Sequence, residues 1–279
     1  MIVGFIGTGS MGSILIESMI KTQALHPGQI VTANRTLEKA EKLAAQYPGL
    51  QTAATNREAA SRSDILFLCV KPKQFKEVID DIKSEVRESQ IVVSITSTVL
   101  IRHLEEHLPC KIAKVIPSIT NYVCSGATLT MYGSRMAQED IFMLEKLLRH
   151  MSKPVAVSEE YTRICSDLSS CGPAFVAFFI EEFINAAVKY TGLPKEEATR
   201  LASEMVLGTG LLLTDGGFSP EKLRERVTVP GGITAEALRI LSLDLEGTFE
   251  RLIRTTHNKY YDELDIVEGL LYNPAGEMD

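Results

Sequence analysis

The sequence lacks the features that mark several classes of protein. Its five cysteines are odd in number, and none lies in a C-x-x-C pair or at a Cys/His spacing that binds metal. It has no Lys/Arg-rich run, and the net charge of −7 provides no basic surface for nucleic acid. No uninterrupted apolar run reaches about 18 residues, the length that spans a bilayer. We therefore expect reduced thiols and no nucleic-acid or membrane partner.

A metal site and a targeting segment are equally unsupported. His103 and His107 stand four residues apart and would share a helix face, but no third ligand accompanies them, and Glu105 and Glu106 indicate an exposed turn. The chain starts with a strand-like segment and has no basic stretch ahead of an apolar one. We expect no metal, no signal peptide and a cytoplasmic location.

The length and composition of the chain suit a globular protein of two domains. The chain has 279 residues, which exceeds the usual size of a single domain. Apolar residues make up 45% and charged residues 23% of the sequence, so a packed core is expected.

A dinucleotide-binding pattern opens the chain. A short apolar strand runs into G-x-G-x-x-G at 7–12, and an apolar-periodic helix follows at about 11–22. Gly7 suits a tight turn, Gly9 lets backbone N–H groups approach a pyrophosphate, and Gly12 lets the helix pack on the strand. The helix N-terminus then faces the anion. A structural turn is the alternative interpretation, since glycines also punctuate ordinary turns.

The end of the second strand indicates which dinucleotide binds. An NAD site usually has an acidic residue there, whereas this chain has Asn34, Arg35 and Thr36. A guanidinium can hold a 2′-phosphate through two hydrogen bonds, so NADP(H) is favoured over NAD(H). Alternatively, Arg35 is a solvated residue at the start of the next helix.

Up to about residue 157, short apolar strands alternate with amphipathic helices. This alternation predicts an α/β fold, a Rossmann doubly wound sheet with parallel strands and a turn near Thr52. Ligands bind such sheets at the carboxyl ends of the strands. The expected strands are 2–6, 29–33, 64–70, 90–95, 111–116, 127–131 and 153–157, and the expected helices are 11–22, 36–47, 56–61, 73–86, 98–106 and 137–149.

From about Tyr161 the pattern is helical throughout. Residues 173–191 are apolar almost all the way round, and such a helix must be buried on most sides. A second chain would cover it economically, so we expect an obligate homodimer, with burial inside the monomer as the alternative. Helices are also expected at 194–214 and 235–243, and a frayed tail at 272–279.

Two further segments resemble helix starts that bind carboxylates. Residues 168–173 place small polar residues before Gly-Pro, and residues 229–234 place Pro-Gly-Gly before the helix at 235–243. Two well-capped helices with no ligand are an equally good interpretation of the local sequence.

Four motifs resemble the pyrroline-5-carboxylate reductases along nearly the whole chain. They are G-T-G-S-M-G at 7–12, D-I-L-F-L-C-V-K-P at 64–72, S-C-G-P-A-F at 170–175 and V-T-V-P-G-G-I-T at 227–234. Within that family, I-P-S-I-T-N at 116–121 is similar to the reductase-like late competence proteins. The resemblance implies an NADP-binding Rossmann domain at 1–158 and an all-helical domain at 159–279 for dimerisation and substrate. It also implies a homodimer, often within a ring of dimers.

The resemblance also implies roles for individual residues. Thr234 is the catalytic residue, whose hydroxyl reaches the ring nitrogen of the substrate. The expected cofactor-binding residues are Ile6, Gly7, Thr8, Gly9, Ser10, Met11, Gly12, Asn34, Arg35, Asn56, Val70, Lys71, Pro72, Ser94, Ile95 and Thr96. The expected substrate-binding residues are Glu159, Cys171, Gly172, Gly231, Gly232, Ile233 and Thr234.

The implied reaction is NADPH-dependent reduction of 1-pyrroline-5-carboxylate to L-proline, by hydride transfer to a cyclic imine without a metal. Three positions depart from the family pattern: Cys171 and Val229 replace hydroxyl residues, and Arg163 replaces an acid. Each lost hydrogen bond to a charged group costs about 1.5–3 kcal/mol. An imine reductase with another substrate, and a non-catalytic NADP-binding protein related to competence, therefore stay open as alternatives.

Overall fold

The structure is a computed structural model that describes residues 1–272; the expected frayed tail lies, apart from its first residue, outside them. The chain forms two compact units. The first is Met1–Pro173 together with the chain from Thr255, and the second is Ala174–Arg254. The domain boundary between 158 and 159 remains a proposal.

The first unit contains an eight-stranded sheet in the order β3-β2-β1-β4-β5-β6-β7-β8. Parallel pairing joins all neighbouring strands except β6 and β7. The strands are β1 (Val3–Ile6), β2 (Ile30–Ala33), β3 (Gln51–Thr52), β4 (Ile65–Leu68), β5 (Ile91–Ser94), β6 (Lys111–Ile116), β7 (Ala127–Tyr132) and β8 (Lys153–Ala156).

The sequence predictions of a wholly parallel sheet and of a turn near Thr52 are wrong in these details. β7 is antiparallel to β6, because the short connection between them has no α-helix to carry the chain back to the other end of the sheet. Thr52 lies in β3, where it pairs in register with Thr32 of β2. The Rossmann fold class itself is confirmed.

The helices of the first unit cover both faces of the sheet. Successive side chains of β1 point to opposite sides: Phe5 stacks on Phe67 with ring centroids 5.0 Å apart, whereas Ile6 packs in the other core layer with Leu66 and Leu68. The helices are α1 (Ser10–Lys21), α2 (Leu37–Gln46), α3 (Asn56–Arg62), α4 (Phe75–Ile82), α5 (Ile101–His107), α6 (Gln138–Leu148) and α7 (Thr162–Ser166).

The remaining helices are α8 (Gly172–Thr191), α9 (Lys195–Thr214), α10 (Pro220–Val227), α11 (Ile233–Asp244) and α12 (Thr248–Tyr272). In the second unit only Ile184, Ala198 and Ala202 form a buried apolar cluster within the described chain. Large side chains remain exposed on α8, where Phe178 is 66% and Phe183 60% exposed. A monomer with so much apolar surface needs a partner to cover it.

One helical stretch of the described chain, Glu159–Thr191, is long and apolar enough to cross a membrane by length and composition. The sequence predicted no such segment, because no uninterrupted apolar run is long enough and this helix includes polar residues. An exposed subunit interface has the same composition, so this feature alone does not identify a membrane span.

We expect dilution to dissociate the protein and unfold it in one transition, because the apolar face of α8 would meet water in a free monomer. Sedimentation velocity and far-ultraviolet circular dichroism, measured over the same dilution series, check this. A folded monomer that keeps its helical signal at low concentration would contradict the prediction.

Candidate active site

In the loop after β1, two of the three glycines of G-x-G-x-x-G cannot be replaced by a residue with a Cβ. Gly7 has φ of +100°, and a Cβ there would lie 2.5 Å from the backbone oxygen of Cys69. A Cβ on Gly12 would lie 2.2 Å from the backbone oxygen of Gly7. Around Gly9, by contrast, no atom lies within 4 Å of the Cβ position. The first and third glycines thus allow close approach of backbone segments, and the second leaves space for a ligand.

The start of α1 suits an anion. Gly9 is the N-cap and provides no side chain to bond the first N–H groups of the helix. Next to it, the Thr8 hydroxyl is buried and has no hydrogen-bond partner among the described residues. Free N–H groups and the positive end of the helix dipole together fit the pyrophosphate of a dinucleotide.

Asn34 links the loop after β2 to the loop after β1 by hydrogen bonds. Its Oδ1 accepts the Thr8 N–H at 3.1 Å, and its Nδ2 donates to the Thr36 carbonyl at 2.8 Å. One of the two Nδ2 hydrogens has no partner among the described residues. Asn34 therefore positions the two loops and can still donate to a phosphate.

Two cations of the segment after β2 lie beside this loop. Arg35 and Lys39 are exposed, line the same cavity, and make no ion pair within residues 1–272. The sequence did not predict Lys39, which lies in the first turn of α2. A pair of free cations at the end of β2 suits the 2′-phosphate of NADP.

The cavity has a volume of about 510 Å³ and lies within the first unit. Eight of the residues expected to bind cofactor line it: Ile6, Gly7, Gly9, Asn34, Arg35, Asn56, Val70 and Lys71. The other expected residues do not belong to the lining: Thr8, Ser10, Met11, Gly12, Pro72, Ser94, Ile95 and Thr96. Lining residues that sequence reasoning missed include Lys39, Gln74, Glu77, Val78 and Asp81.

The loops that follow β4 and β5 are tied together. The Thr96 hydroxyl donates to the Val70 carbonyl at 3.2 Å, and the Ser94 hydroxyl accepts the Thr96 N–H at 3.2 Å. These contacts bring two of the segments expected around the nicotinamide to one edge of the sheet.

Glu159 is anchored by a buried cation. Lys114 on β6 is fully buried, and its Nζ donates to Glu159 Oε1 at 2.9 Å. The same oxygen accepts the Ile101 N–H at 2.9 Å. Burial lowers the pKa of Lys114, and the Glu159 carboxylate opposes that shift. Because Oε1 already accepts two hydrogen bonds, a role for Glu159 at the substrate remains a proposal.

The segment expected to begin a helix at 168–173 lies inside one. The helical stretch Glu159–Thr191 passes through it, with a π-helical turn at Asp167–Cys171. A π turn shifts the hydrogen-bonding pattern, so Pro173, which has no N–H, fits without breaking the helix. The prediction of free N–H groups at this point is therefore wrong.

Hydrogen bonds attach this π-helical turn to the loop after β6. Ser170 donates to the Pro117 carbonyl at 3.0 Å, and Ser118 donates to the Ser169 carbonyl at 2.9 Å. The two motifs 116–121 and 170–175 are thus neighbours. π turns often occur at functional sites, and Cys171 and Gly172 lie at this one.

Arg163 contacts the same turn. Its Nη2 donates to Asp167 Oδ1 at 2.8 Å and lies 3.1 Å from Cys171 Sγ, while its Nε is buried without a partner among the described residues. The cation that replaces the family's acid is thus paired with a carboxylate beside Cys171.

In the second unit, a glycine turn precedes α11. Gly231 has φ of +71°, Gly232 is the N-cap without a side-chain capping bond, and α11 begins at Ile233. Ile233 is 93% exposed and the Thr234 side chain is also exposed. The first-turn N–H groups and the Thr234 hydroxyl are therefore available to a carboxylate-bearing ligand.

A Rossmann sheet, an open glycine loop and free cations after β2 define an NAD(P)H-dependent oxidoreductase.

Residues 159–262 match the family described as Pyrroline-5-carboxylate reductase dimerisation, and residues 2–98 match the family described as NADP oxidoreductase coenzyme F420-dependent. The chain is 36% identical over 266 residues to ComE operon protein 4 of Bacillus subtilis (strain 168), covering 95% of this chain and 97% of that protein. It is 30% identical over 241 residues to Pyrroline-5-carboxylate reductase of Escherichia coli (strain K12), covering 86% and 89%. The chain belongs to the pyrroline-5-carboxylate reductase family.

Two solved structures have the same fold as this chain. A pyrroline-5-carboxylate reductase from Coxiella burnetii superposes with a TM-score of 0.82 at 27% identity, covering 95% of this chain and 97% of that one. The Plasmodium falciparum pyrroline carboxylate reductase with NADP bound has the same fold, with a TM-score of 0.81 at 24% identity and coverage of 95% and 97%.

These findings confirm the family resemblance, including the likeness to the late competence branch, and NADP(H) as the cofactor. The dimerisation domain supports a homodimer and accounts for the exposed apolar face of α8.

Proposed function

We propose that this protein reduces 1-pyrroline-5-carboxylate to L-proline with NADPH in the cytoplasm, as a step of proline biosynthesis. The observation that carries the proposal is the glycine turn before α11, which presents uncapped N–H groups beside the Thr234 hydroxyl. A cyclic imine with a carboxylate matches that pair of features, since the turn would take the carboxylate and the hydroxyl the ring nitrogen.

The residues position the reactants and need no nucleophile. NADPH, when bound, would supply the hydride that adds to the C=N carbon of an imine protonated on nitrogen by water, and the products would be the cyclic amine and NADP⁺. Gly231, Gly232 and Ile233 hold the carboxylate, while Thr234 hydrogen-bonds the nitrogen, where charge changes during the reaction. Arg35 and Lys39 hold the 2′-phosphate, and the segments Val70–Pro72 and Ser94–Thr96 flank the nicotinamide.

A reductase for a different cyclic imine is the second candidate. Arg163 and Cys171 favour it, because a guanidinium contacts the thiol at a position where the family pattern has a hydroxyl. Dimers of this chain would further assemble into rings in either case, as the family resemblance implies.

Steady-state NADPH oxidation separates the two candidates. With wild-type protein we expect faster turnover of pyrroline-5-carboxylate than of 1-pyrroline, which lacks the carboxylate. The double variant Cys171→Ser, Val229→Ser should raise kcat/KM for pyrroline-5-carboxylate by about 10-fold or more, since it restores two hydroxyl donors near a charged group.

Cys124→Ser, at a cysteine outside the segments 168–173 and 229–234 that hold the two restored positions, is the control and should leave kcat/KM unchanged. Faster turnover of 1-pyrroline by the wild type would favour the second candidate. The absence of NADPH oxidation with either imine, before and after restoration, would overturn the proposed reaction.

A further inference from the structure

One face of α12 packs on the first unit. The chain from Thr255 belongs to that unit, and Thr256, Tyr260, Val267 and Leu271 recur on the helix at helical spacing. Val267 and Leu271 lie in the apolar core with side chains of α4 and α5, so packing fixes the C-terminal half of the helix. Two turns nearer its start, the same face carries the polar side chains of Thr256 and Tyr260.

Thr256 binds the π-helical turn. Its Oγ1 donates to Asp167 Oδ2 at 2.7 Å. Asp167 is 4% exposed, and its other carboxylate oxygen accepts a hydrogen bond from Arg163. Cys171, which is expected at the substrate, is the last residue of this turn. Because hydrogen bonds to a charged group are strong, Thr256 fixes the turn relative to α12.

Tyr260, one helical turn further on, reaches the loop after β5. Its hydroxyl lies 3.5 Å from the Ser97 carbonyl oxygen, and the residue is 9% exposed. Burial raises the pKa of Tyr260, and the Glu159 carboxylate raises it further, so the phenol stays protonated and can donate. Ser97 directly follows the segment 94–96 that is expected beside the nicotinamide.

The two side chains therefore connect two parts of the expected site. Thr256 and Tyr260 are four residues apart on one helix, a rise of about 6 Å along its axis. The hydrogen-bonded backbone of a helix turn is stiff, and the apolar packing of Val267 and Leu271 holds the rest of α12 in place. A change at one of the two segments is thus passed to the other.

We propose that Thr256 and Tyr260 are positioning residues that hold the segment 94–97 and the π turn Asp167–Cys171 at a fixed spacing, so that cofactor binding also orders the turn. They act through Asp167 and Ser97. Hydride transfer needs the two reacting carbons in attack geometry, and a misplacement of about 1 Å can cost about 100-fold in rate. The inference rests on the proposed function for the roles of the two segments.

Amide hydrogen exchange tests this coupling without turnover. Exchange of the intact protein is followed by mass spectrometry with and without NADP⁺. In the wild type we expect NADP⁺ to slow exchange at Asp167–Cys171 by about 5-fold or more. Thr256→Val and Tyr260→Phe should lose this slowing and keep the slowing at the glycine loop 7–12, where the pyrophosphate is expected.

Matched variants separate the lost hydroxyl from other changes. Thr256→Ser keeps the hydroxyl and should behave as the wild type. Tyr261→Phe removes the phenol of a neighbour that is 56% exposed, and should do the same. In steady-state oxidation of NADPH with pyrroline-5-carboxylate, Thr256→Val and Tyr260→Phe should each lower kcat by about 10-fold, the order of one lost hydrogen bond. The KM for NADPH should not change.

Equal slowing at Asp167–Cys171 in the wild type and both variants, or no slowing in the wild type, would overturn the proposal. Faster exchange throughout the first unit of both variants without NADP⁺ would also overturn it, because the role would then be structural. If one variant fails to fold by circular dichroism, the other decides. A wild type that oxidises NADPH with neither imine would overturn the proposed reaction alone, since the exchange measurement does not use turnover.

Discussion

Replacing Arg35 with alanine is expected to raise the KM for NADPH by about 10- to 100-fold and to leave the KM for NADH nearly unchanged. The guanidinium lines the cavity unpaired among residues 1–272, and a hydrogen bond to a charged group is worth about 1.5–3 kcal/mol. NADH has no 2′-phosphate, so it loses nothing. The measurement is the KM of each cofactor at saturating substrate.

Two further variants provide a control and a comparison for Arg35→Ala. Arg57→Ala removes an exposed arginine of α3 that does not line the cavity, and should change neither KM. Lys39→Ala should raise the KM for NADPH less than Arg35→Ala does, because a lysine cannot bind a phosphate through a planar fork. Equal increases for NADPH and NADH in Arg35→Ala would show that Arg35 does not hold the 2′-phosphate.

The second large effect concerns the chemical step. Thr234→Val keeps the shape of the side chain and removes the hydroxyl, and should lower kcat/KM for pyrroline-5-carboxylate by about 10- to 100-fold. NADPH affinity, measured by fluorescence titration, should not change.

Thr199→Val is the control, because the Thr199 hydroxyl bonds only a helix carbonyl, that of Lys195, and its loss should not alter the rate. If Thr234→Val keeps the wild-type kcat/KM, the hydrogen bond to the imine nitrogen must come from another group, and the assignment of Thr234 as the catalytic residue is wrong.

The sequence was sufficient for features that depend on local pattern. Alternating strands and helices predicted the Rossmann fold, because a parallel strand pair needs a crossover helix. The G-x-G-x-x-G spacing identified the cofactor loop, because a side chain at Gly7 or Gly12 would collide with backbone that lies close in the fold. Arg35 in place of an acid indicated NADP, since charge at the end of β2 is read directly from the chain.

The tertiary structure decided what depends on residues distant in sequence. Asp81 meets Asn56 across 25 positions, and the Asn34 amide joins two loops, contacts that no periodicity encodes. The resemblance gives Glu159 only as a substrate-binding residue, and folding places its carboxylate against the buried Lys114. The sequence predicts that a helix begins at 168–173, yet the helix through 159–191 continues there with a π turn. In each case the deciding hydrogen bonds come from residues distant in sequence, and those that hold the π turn involve Pro117 and Ser118.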